Sequence, residues 1–178
     1  MISEELLEKM NRLILLCCNS NYEQSSNDSM NNQKMKKKTV FIEGQISSEF
    51  IANAIAKHQV KTQIGAHNIF LGQVRKDVVD DKTVKSIEFS CYQEMAEQKL
   101  HTIREETFEK YDLTCMHIYH SLGNVQVGEV CFFVFVSAPH RPYVYEATEY
   151  IVNRVKSEVP IFGKEIFEDE SFQWKTNK

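Results

Sequence analysis

The sequence predicts an α+β domain with a mainly antiparallel sheet, preceded by a disordered N-terminal extension. Hydrophobic residues make up 42% of the 178 residues, which is enough for one hydrophobic core. Strand-like and helix-like segments are interspersed over residues 39–178, and several short connections between them suit antiparallel pairing. Residues 19–38 are rich in Asn, Ser, Gln and Lys with almost no apolar anchor, which is typical of a disordered linker.

The extension is predicted to cover residues 1–38, and the domain residues 39–178. Apolar residues recur at helical spacing up to about residue 19, so a short amphipathic helix is expected before the linker. The acidic start at Glu4, Glu5 and Glu8 disfavours a mitochondrial presequence, and no small-residue cleavage site follows a basic segment. Neither targeting signal is therefore expected.

Runs of apolar, β-branched and aromatic residues predict the strands of the domain. They cover 40–42, 65–74, 84–92, 114–119 and 129–136, with short extended pieces around 166–167 and 172–174. A polar hairpin region is expected at 76–82. Gly123-Asn124 and Gly128 are turn-prone, and they are predicted to separate the fourth and fifth strands.

Three helices are predicted between these strands. The first begins at a serine cap, Ser47, and continues to His58. The second covers 95–111, and its apolar stripe is made largely by Met95, Leu100, Ile103 and Phe108. The third covers 143–156 and follows the most apolar of the strands.

Charge and cysteine content exclude several classes of protein. The formal charge of −4 gives no overall attraction to nucleic acid or to an anionic membrane, and no apolar run approaches the length that crosses a bilayer. The five cysteines form no CxxC pair and are odd in number, so neither a disulfide framework nor a zinc site is expected. A reducing cytosol is the predicted compartment.

The strongest local signal is the segment Ser137-Ala138-Pro139-His140-Arg141-Pro142, which joins an apolar strand to a helix. Backbone N–H groups and the positive end of the dipole favour an anion at a helix start. Arg141 adds a guanidinium suited to phosphate or carboxylate, and His140 exchanges protons near neutral pH. An ordinary solvated helix start accounts for the same spacing equally well.

Three further cations lie beside predicted elements. Arg75 ends a strand next to Gly72, which permits close approach of a ligand, although a strand-terminal charge facing water is the simpler explanation. Lys156 lies in the last turn of the third helix, where a lysine also complements the helix dipole. Lys164 follows the helix-terminating Pro160.

The helix length constrains how these cations can act together. Arg141 and Lys156 are 15 residues apart, which corresponds to about 22 Å along a helix. Both cannot contact one small ligand within a single chain. Either they serve different sites, or a symmetric dimer brings the helix start of one chain near the helix end of the other. We favour the dimer.

Other motifs of enzyme sites are absent from the sequence. There is no GxGxxG or GxxxxGK[ST] phosphate loop, no HExxH and no GxSxG elbow. His117 and His120 are three residues apart on a predicted strand, which places them on opposite faces and argues against a metal pair.

Taken together, the motifs resemble the large, catalytic subunit of molybdopterin synthase, the MoaE-type family. The resemblance covers roughly residues 39–175, and the ordered combination of motifs is specific although no single motif is. The matching segments are Gly65-Ala66, Phe70-Leu71-Gly72-Gln73-Val74-Arg75, Tyr119-His120-Ser121-Leu122-Gly123, Gly128-Glu129, Ser137-Ala138-Pro139-His140-Arg141, Tyr145-Glu146-Ala147, Lys156, Val159-Pro160-Ile161, Lys164-Glu165 and Trp174.

This resemblance implies a two-layer α/β hammerhead-type fold and a homodimer at the centre of a heterotetramer. Each large subunit would bind a small ubiquitin-like sulfur carrier, whose C-terminal thiocarboxylate enters the pocket. The implied substrate is cyclic pyranopterin monophosphate, which two sulfur transfers convert to the dithiolene of molybdopterin. Because the sulfur belongs to the carrier, the large subunit needs no nucleophilic cysteine. No cofactor and no metal are expected.

The resemblance also implies site residues. Arg75, His140, Arg141 and Lys156 match pocket residues of the family, with Phe70 in the wall, and the His-Arg pair is expected to come from the neighbouring protomer. Lys156 is predicted to be the principal acid/base or substrate-anchoring residue, because a lysine among cations has a lowered pKa. The other three cations would bind phosphate and developing negative charge.

Two positions depart from the family pattern. Gly163 stands where the family has a pocket lysine, and Ser121 stands where many relatives have arginine. Lys164 is the candidate replacement, although a one-residue offset on an extended segment turns a side chain to the other face. One alternative that stays open is a non-catalytic scaffold that binds the carrier but has lost its chemistry through Gly163. A weaker alternative is a phosphate-ester hydrolase, and the lack of a metal-ligand set or nucleophile elbow counts against it.

Overall fold

Residues 40–175 are described by a computed structural model, and the predicted helix and linker of residues 1–38 lie outside this range. Within residues 40–175, strands and helices alternate along the chain. Their order is β1 (Phe41–Glu43), α1 (Ser48–Ala56), β2 (Ala66–Gln73), β3 (Val78–Val79), β4 (Lys82–Cys91), α2 (Gln93–Lys110), β5 (Cys115–Gln126), β6 (Val130–Ala138), α3 (Arg141–Glu158), β7 (Ile161–Phe167) and β8 (Phe172–Trp174). The predicted α+β class is confirmed.

The sheet runs in the order β2-β6-β5-β4-β7-β8, and all of these neighbours are antiparallel. The short strand β1 pairs in parallel with β5 through Phe41–Glu43, and β3 forms a small hairpin with β4. Because β7 pairs along most of β4, the segment after α3 returns to the sheet. This return places the C-terminal strands beside the end of α3.

Strand β5 continues through the predicted turn at Gly123-Asn124, so that prediction was wrong. Its first half pairs with β6 and its second half with β4. Gly123 has a φ of 72°, and a Cβ there would lie 2.1 Å from Oε1 of Glu43. Glycine is therefore required where β5 passes from one partner strand to the other. The predicted turn at Gly128 does form, and φ there is 89°.

Strand β6 is buried because helices cover both of its faces. Phe132, Val134 and Val136 belong to the core cluster that includes residues of α2 and α3. Phe133 and Phe135 face the other way, into a smaller cluster against which α1 packs. Side chains alternate between the two faces of a strand, so β6 contributes to both cores.

Helix α1 begins at the predicted cap. The Ser47 hydroxyl accepts a hydrogen bond from the backbone N–H of Phe50 at 3.1 Å, which satisfies one of the N-terminal donors. In α2, Leu100 and Ile103 are buried as predicted, but Met95 is 61% exposed and Ala96 occupies the buried position. The apolar stripe is therefore shifted by one residue at its start.

Helices α2 and α3 are joined by the guanidinium of Arg154. It donates to Glu158 one turn later on α3 and to Glu106 on α2. None of the helices in residues 40–175 has both the length and the apolar composition that a membrane-spanning helix requires.

Candidate active site

A cleft of about 360 Å³ lies where the C-terminal end of α3 meets the sheet. Strands β2, β4, β5, β6 and β7 contribute to its walls, together with the last turn of α3. Its floor is apolar and aromatic, and its cationic side chains are Arg75, Lys156 and Lys175. The cleft therefore combines a shaped apolar surface with positive charge, a combination suited to an anionic ring system.

Lys156 extends from the last turn of α3 over the aromatic floor. Its Nζ lies 5.6 Å from the ring centroid of Phe132, within range of a cation–π interaction. The ring of Phe70, predicted to be a wall residue, packs edge-on against Phe132 with centroids 5.6 Å apart. Phe132 thus positions both the predicted lysine and the predicted wall residue.

Arg75 follows the end of β2 at the mouth of the cleft. Its Nη2 donates to Oδ2 of Asp77 at 3.0 Å, and its side chain is 75% exposed. A surface ion pair of this kind contributes little to stability. The guanidinium is therefore able to move toward an incoming anion at small cost.

His120 lies inside the cleft and was not predicted as a site residue. Its ring packs against Phe89 and Phe132, and its Nδ1–H donates to the Ser121 carbonyl at 2.9 Å. Burial lowers the pKa of His120 to about 4, and the charge of Lys156 acts in the same direction. The imidazole is neutral at physiological pH, with Nε2 as a proton acceptor.

Gly163, where the resemblance implies a lysine in the family, lines the cleft. A Cβ at this position would lie 3.2 Å from Cγ2 of Ile87, 3.4 Å from Cε1 of Phe89 and 3.6 Å from Cβ of Lys175. The backbone N–H of Lys175 donates to the Gly163 carbonyl at 2.8 Å. Lys175 therefore runs alongside Gly163 and contributes a lysine to the same part of the cleft.

Lys164 is not among the residues that line this cleft. Its ammonium lies 3.3 Å from Oε2 of Glu88 and 4.3 Å from the ring centroid of Phe172. Successive residues of a strand point to opposite faces. The one-residue offset from Gly163 thus directs Lys164 away from the cleft, and its catalytic role stays a prediction.

His140 and Arg141 lie at the opposite end of α3 from Lys156. His140 is the N-cap residue, Arg141 begins the helix, and both are exposed. Neither lines the cleft within one chain. Their separation along the 18-residue helix is the one expected from the sequence.

Cys131 is the cysteine of this cleft, and its environment does not activate it. Burial raises the pKa of the thiol despite the nearby charges of Lys156 and Lys175. The S–H group donates weakly to the Gly72 carbonyl at 3.4 Å. A protonated, buried thiol is a poor nucleophile, so Cys131 is not a candidate nucleophile.

The fold and the cleft together define a class: an α+β protein with a cationic cleft between an antiparallel sheet and the end of a helix. Residues 45–158 match the family model described as "MoaE protein", and the chain belongs to this family. A relative from Bacillus subtilis (strain 168), named "Molybdopterin synthase catalytic subunit", is 40% identical over 120 residues, which are 67% of this chain and 75% of the relative.

Solved structures agree with this assignment. The crystal structure of molybdopterin synthase from Staphylococcus aureus matches with a TM-score of 0.69 and 31% identity, over 79% of this chain and 98% of that chain. A chain from the protein–protein complex of subunits 1 and 2 of molybdopterin-converting factor from Helicobacter pylori 26695 matches with a TM-score of 0.66, over 78% of this chain and 90% of that chain. At 19% identity, this second match shows the fold alone.

Proposed function

We infer that this chain acts as the catalytic subunit of a molybdopterin synthase, a sulfurtransferase of molybdenum cofactor biosynthesis. It would transfer sulfur from the thiocarboxylated C-terminus of a small carrier subunit to cyclic pyranopterin monophosphate, which forms the dithiolene of molybdopterin. The observation that carries this inference is the cleft of a MoaE-family chain in which Arg75, Lys156 and Lys175 surround an aromatic floor.

The charge of the cleft suits the substrates of this reaction. The precursor has a phosphate, and the carrier ends in a thiocarboxylate, so both reactants are anions. Arg75 at the exposed mouth is suited to bidentate contact with phosphate. Lys156 and Lys175 line the same cleft and would hold the two anions close together, which lowers the cost of their mutual repulsion.

Lys156 is the residue that we assign to proton transfer or to anchoring of the reacting group. Each transfer forms a carbon–sulfur bond on the precursor as a carbon–oxygen bond at the same carbon breaks. Water then hydrolyses the acyl–sulfur bond, which leaves a carboxylate on the carrier. An ammonium over the Phe132 ring would stabilise the negative charge that develops in these steps. The neutral Nε2 of His120 adds an acceptor in the same cleft without adding positive charge.

Lys175 takes the place of the lysine that is absent at position 163. Its backbone is hydrogen-bonded to Gly163, and its ammonium is held by Glu165, so it reaches the cleft from the next strand along the sheet. Lys164 points to Glu88 instead. The cleft thus keeps its cation although the family position is a glycine.

The assembly that fits this function is a homodimer of the chain within a heterotetramer that contains two carrier subunits. His140 and Arg141 of one protomer would then complete the cleft of the other, since they cannot reach Lys156 of their own helix. The cytosol is the proposed compartment, because reduced thiols such as Cys131 persist there.

The direct test is reconstitution with purified chain, thiocarboxylated carrier and cyclic pyranopterin monophosphate. Formation of molybdopterin supports the function. A chain that binds the carrier but forms no product would instead support the second candidate, a non-catalytic scaffold, which Gly163 favours. Gly163→Lys distinguishes the two, because a gain of activity from a zero baseline is expected only of a scaffold that lost its lysine.

A further inference from the structure

Three side chains with metal-binding atoms meet on the face of the sheet opposite the cleft. Nε2 of His58 lies 3.1 Å from Sγ of Cys115, and Sγ lies 3.2 Å from Nε2 of His117. The two Nε2 atoms are 3.1 Å apart. The three atoms therefore form a nearly equilateral triangle, the geometry in which three ligands surround one ion.

The fold brings these residues together from two places. Cys115 and His117 are two positions apart on β5, so both side chains point to the face covered by α1. His58 follows the end of α1, where its backbone N–H donates to the Ile55 carbonyl at 2.9 Å. The packing of α1 against Phe135 brings this histidine over the strand, with ring centroids of His58 and Phe135 4.7 Å apart.

The tautomer of His58 suits a metal ligand. Its Nδ1 lies 2.7 Å from the Ala54 carbonyl, and because a carbonyl only accepts, Nδ1 carries the proton. Nε2 therefore presents its lone pair to Cys115 and His117. Donation of the second ring N–H to a backbone carbonyl is the arrangement that orients histidine ligands in metal sites.

The size of the triangle fits a tetrahedral zinc ion. With zinc–nitrogen bonds of about 2.0 Å and zinc–sulfur bonds of about 2.3 Å, the ligand atoms of a tetrahedral site are about 3.3 to 3.6 Å apart. The measured separations of 3.1–3.2 Å are only a few tenths of an ångström shorter. A small outward movement of the three side chains would admit the ion.

The triangle lies in a largely buried part of the fold. Nζ of Lys61 lies 3.8 Å from Sγ of Cys115. Cys115 and His58 are buried at 2% and 5% exposure. The ring of His117 is half-buried and stacked on those of Tyr119 and Phe135.

We propose that His58, Cys115 and His117 bind a zinc ion through the two Nε2 atoms and Sγ. One thiolate and two imidazoles select zinc-like transition ions over magnesium or calcium. Binding would release the thiol proton of Cys115 as the sulfur–zinc bond forms. The ion would tie the end of α1 to β5, and the site is separate from the cleft, because His120 points to the other face of the same strand.

Zinc binding to the full-length chain tests this proposal. After chelator treatment, calorimetric titration should show one zinc ion per chain. Cobalt should give a thiolate charge-transfer band. Cys115→Ser and His117→Asn should each weaken binding by more than about 100-fold, beyond the loss that follows removal of an outer hydrogen-bond partner. Zinc should raise the Tm of the wild type but not that of either variant.

Two controls match these substitutions. His67→Asn changes a neighbouring histidine whose ring centroid is 6.2 Å from that of His58 but which is outside the triangle. The double variant Cys17→Ser/Cys18→Ser removes the adjacent cysteines near the N-terminus. Both controls should bind zinc like the wild type.

The proposal is overturned if the wild type binds neither zinc nor cobalt, or if Cys115→Ser and His117→Asn both bind zinc like the wild type. Loss of binding in the Cys17→Ser/Cys18→Ser variant alone would also overturn it. If Cys115→Ser does not fold, the half-buried His117→Asn variant decides the result. Circular dichroism of each apo variant establishes which of them are folded.

Discussion

The ammonium of Lys175 lies 2.5 Å from Oε1 of Glu165, a carboxylate whose side chain is only 6% exposed. Nε2 of Gln173 donates to the other oxygen, Oε2, at 2.8 Å. Burial alone would raise the pKa of Glu165, but these hydrogen bonds outweigh it and hold the pKa below its ordinary value. The ionised carboxylate thus fixes Lys175 beside Gly163, at the wall of the cleft.

Lys175→Ala should lower kcat/KM for the synthase reaction about 10- to 100-fold, because the cleft loses a charge-assisted contact to an anion. Reconstituted turnover at varied precursor concentration measures this effect. Gly163→Lys/Lys175→Ala should recover much of the loss, since the new ammonium would enter the same space. A double variant as impaired as Lys175→Ala would mean that the two positions are not interchangeable.

Lys164→Ala is the matched control for Lys175→Ala, and its activity should stay within about twofold of the wild type. Its ion pair with Glu88 is exposed, so stability should change by less than about 1 kcal/mol. The same turnover assay and thermal unfolding measure both quantities. A large loss of activity would restore Lys164 to the catalytic role predicted from the sequence.

Lys156→Ala should reduce kcat by at least about 100-fold, the lower range for loss of a general acid–base group. The dimer should persist in analytical ultracentrifugation. Lys110→Ala, which removes an exposed lysine at the end of α2, should leave kcat unchanged. Equal losses in the two variants would point to a general effect of lysine removal.

Mixed dimers test whether the cleft is shared between protomers. Lys156→Ala and Arg141→Ala should each be inactive alone. After unfolding and refolding together, random mixing should restore about a quarter of the wild-type sites, because half of the dimers contain one intact cleft. Activity is measured after equal mixing of the two variants. No recovery would mean that Arg141 of one protomer does not complete the cleft of the other.

The depressed pKa of His120 makes stability dependent on pH. His120 has an ordinary pKa of about 6.5 in the unfolded chain and a pKa of about 4 in the folded chain. Between these two values the unfolded chain binds a proton at His120 and the folded chain does not. Stability should therefore fall by about 2 kcal/mol between pH 7.5 and pH 5. Urea unfolding at the two pH values measures the change. The variant His120→Gln should lose this pH dependence. The control variant His101→Gln changes an exposed histidine and should keep it.

Local patterns predicted most of the elements, since the serine cap, the apolar strands and the three helices are all encoded within short segments. The passage of β5 through Gly123 was missed because it depends on β4, a strand about 35 residues earlier in the chain. The family predicted from the motifs is confirmed. The boundary near residue 39 and the roles of the site residues stay predictions.

The residues that sequence reasoning missed become neighbours only through tertiary pairing. Lys175 reaches the cleft because β8 folds back on β7, and nothing in the sequence around Trp174 indicates this contact. His58 meets Cys115 across 57 residues. Cys115 and His117 are two residues apart on a strand, and this spacing alone predicts that their side chains share a face. The sequence interpretation compared only His117 with His120, which lie on opposite faces.

Strand β5 serves both faces of the sheet within a few residues: Cys115 and His117 point to one face and His120 to the other. Substitutions on either face can accumulate independently during evolution, because each side chain meets a separate set of neighbours. Insertion or deletion of one residue within β5 would exchange the two faces at once. A change in the length of this segment would therefore disturb both faces, whereas a substitution on one face disturbs that face alone.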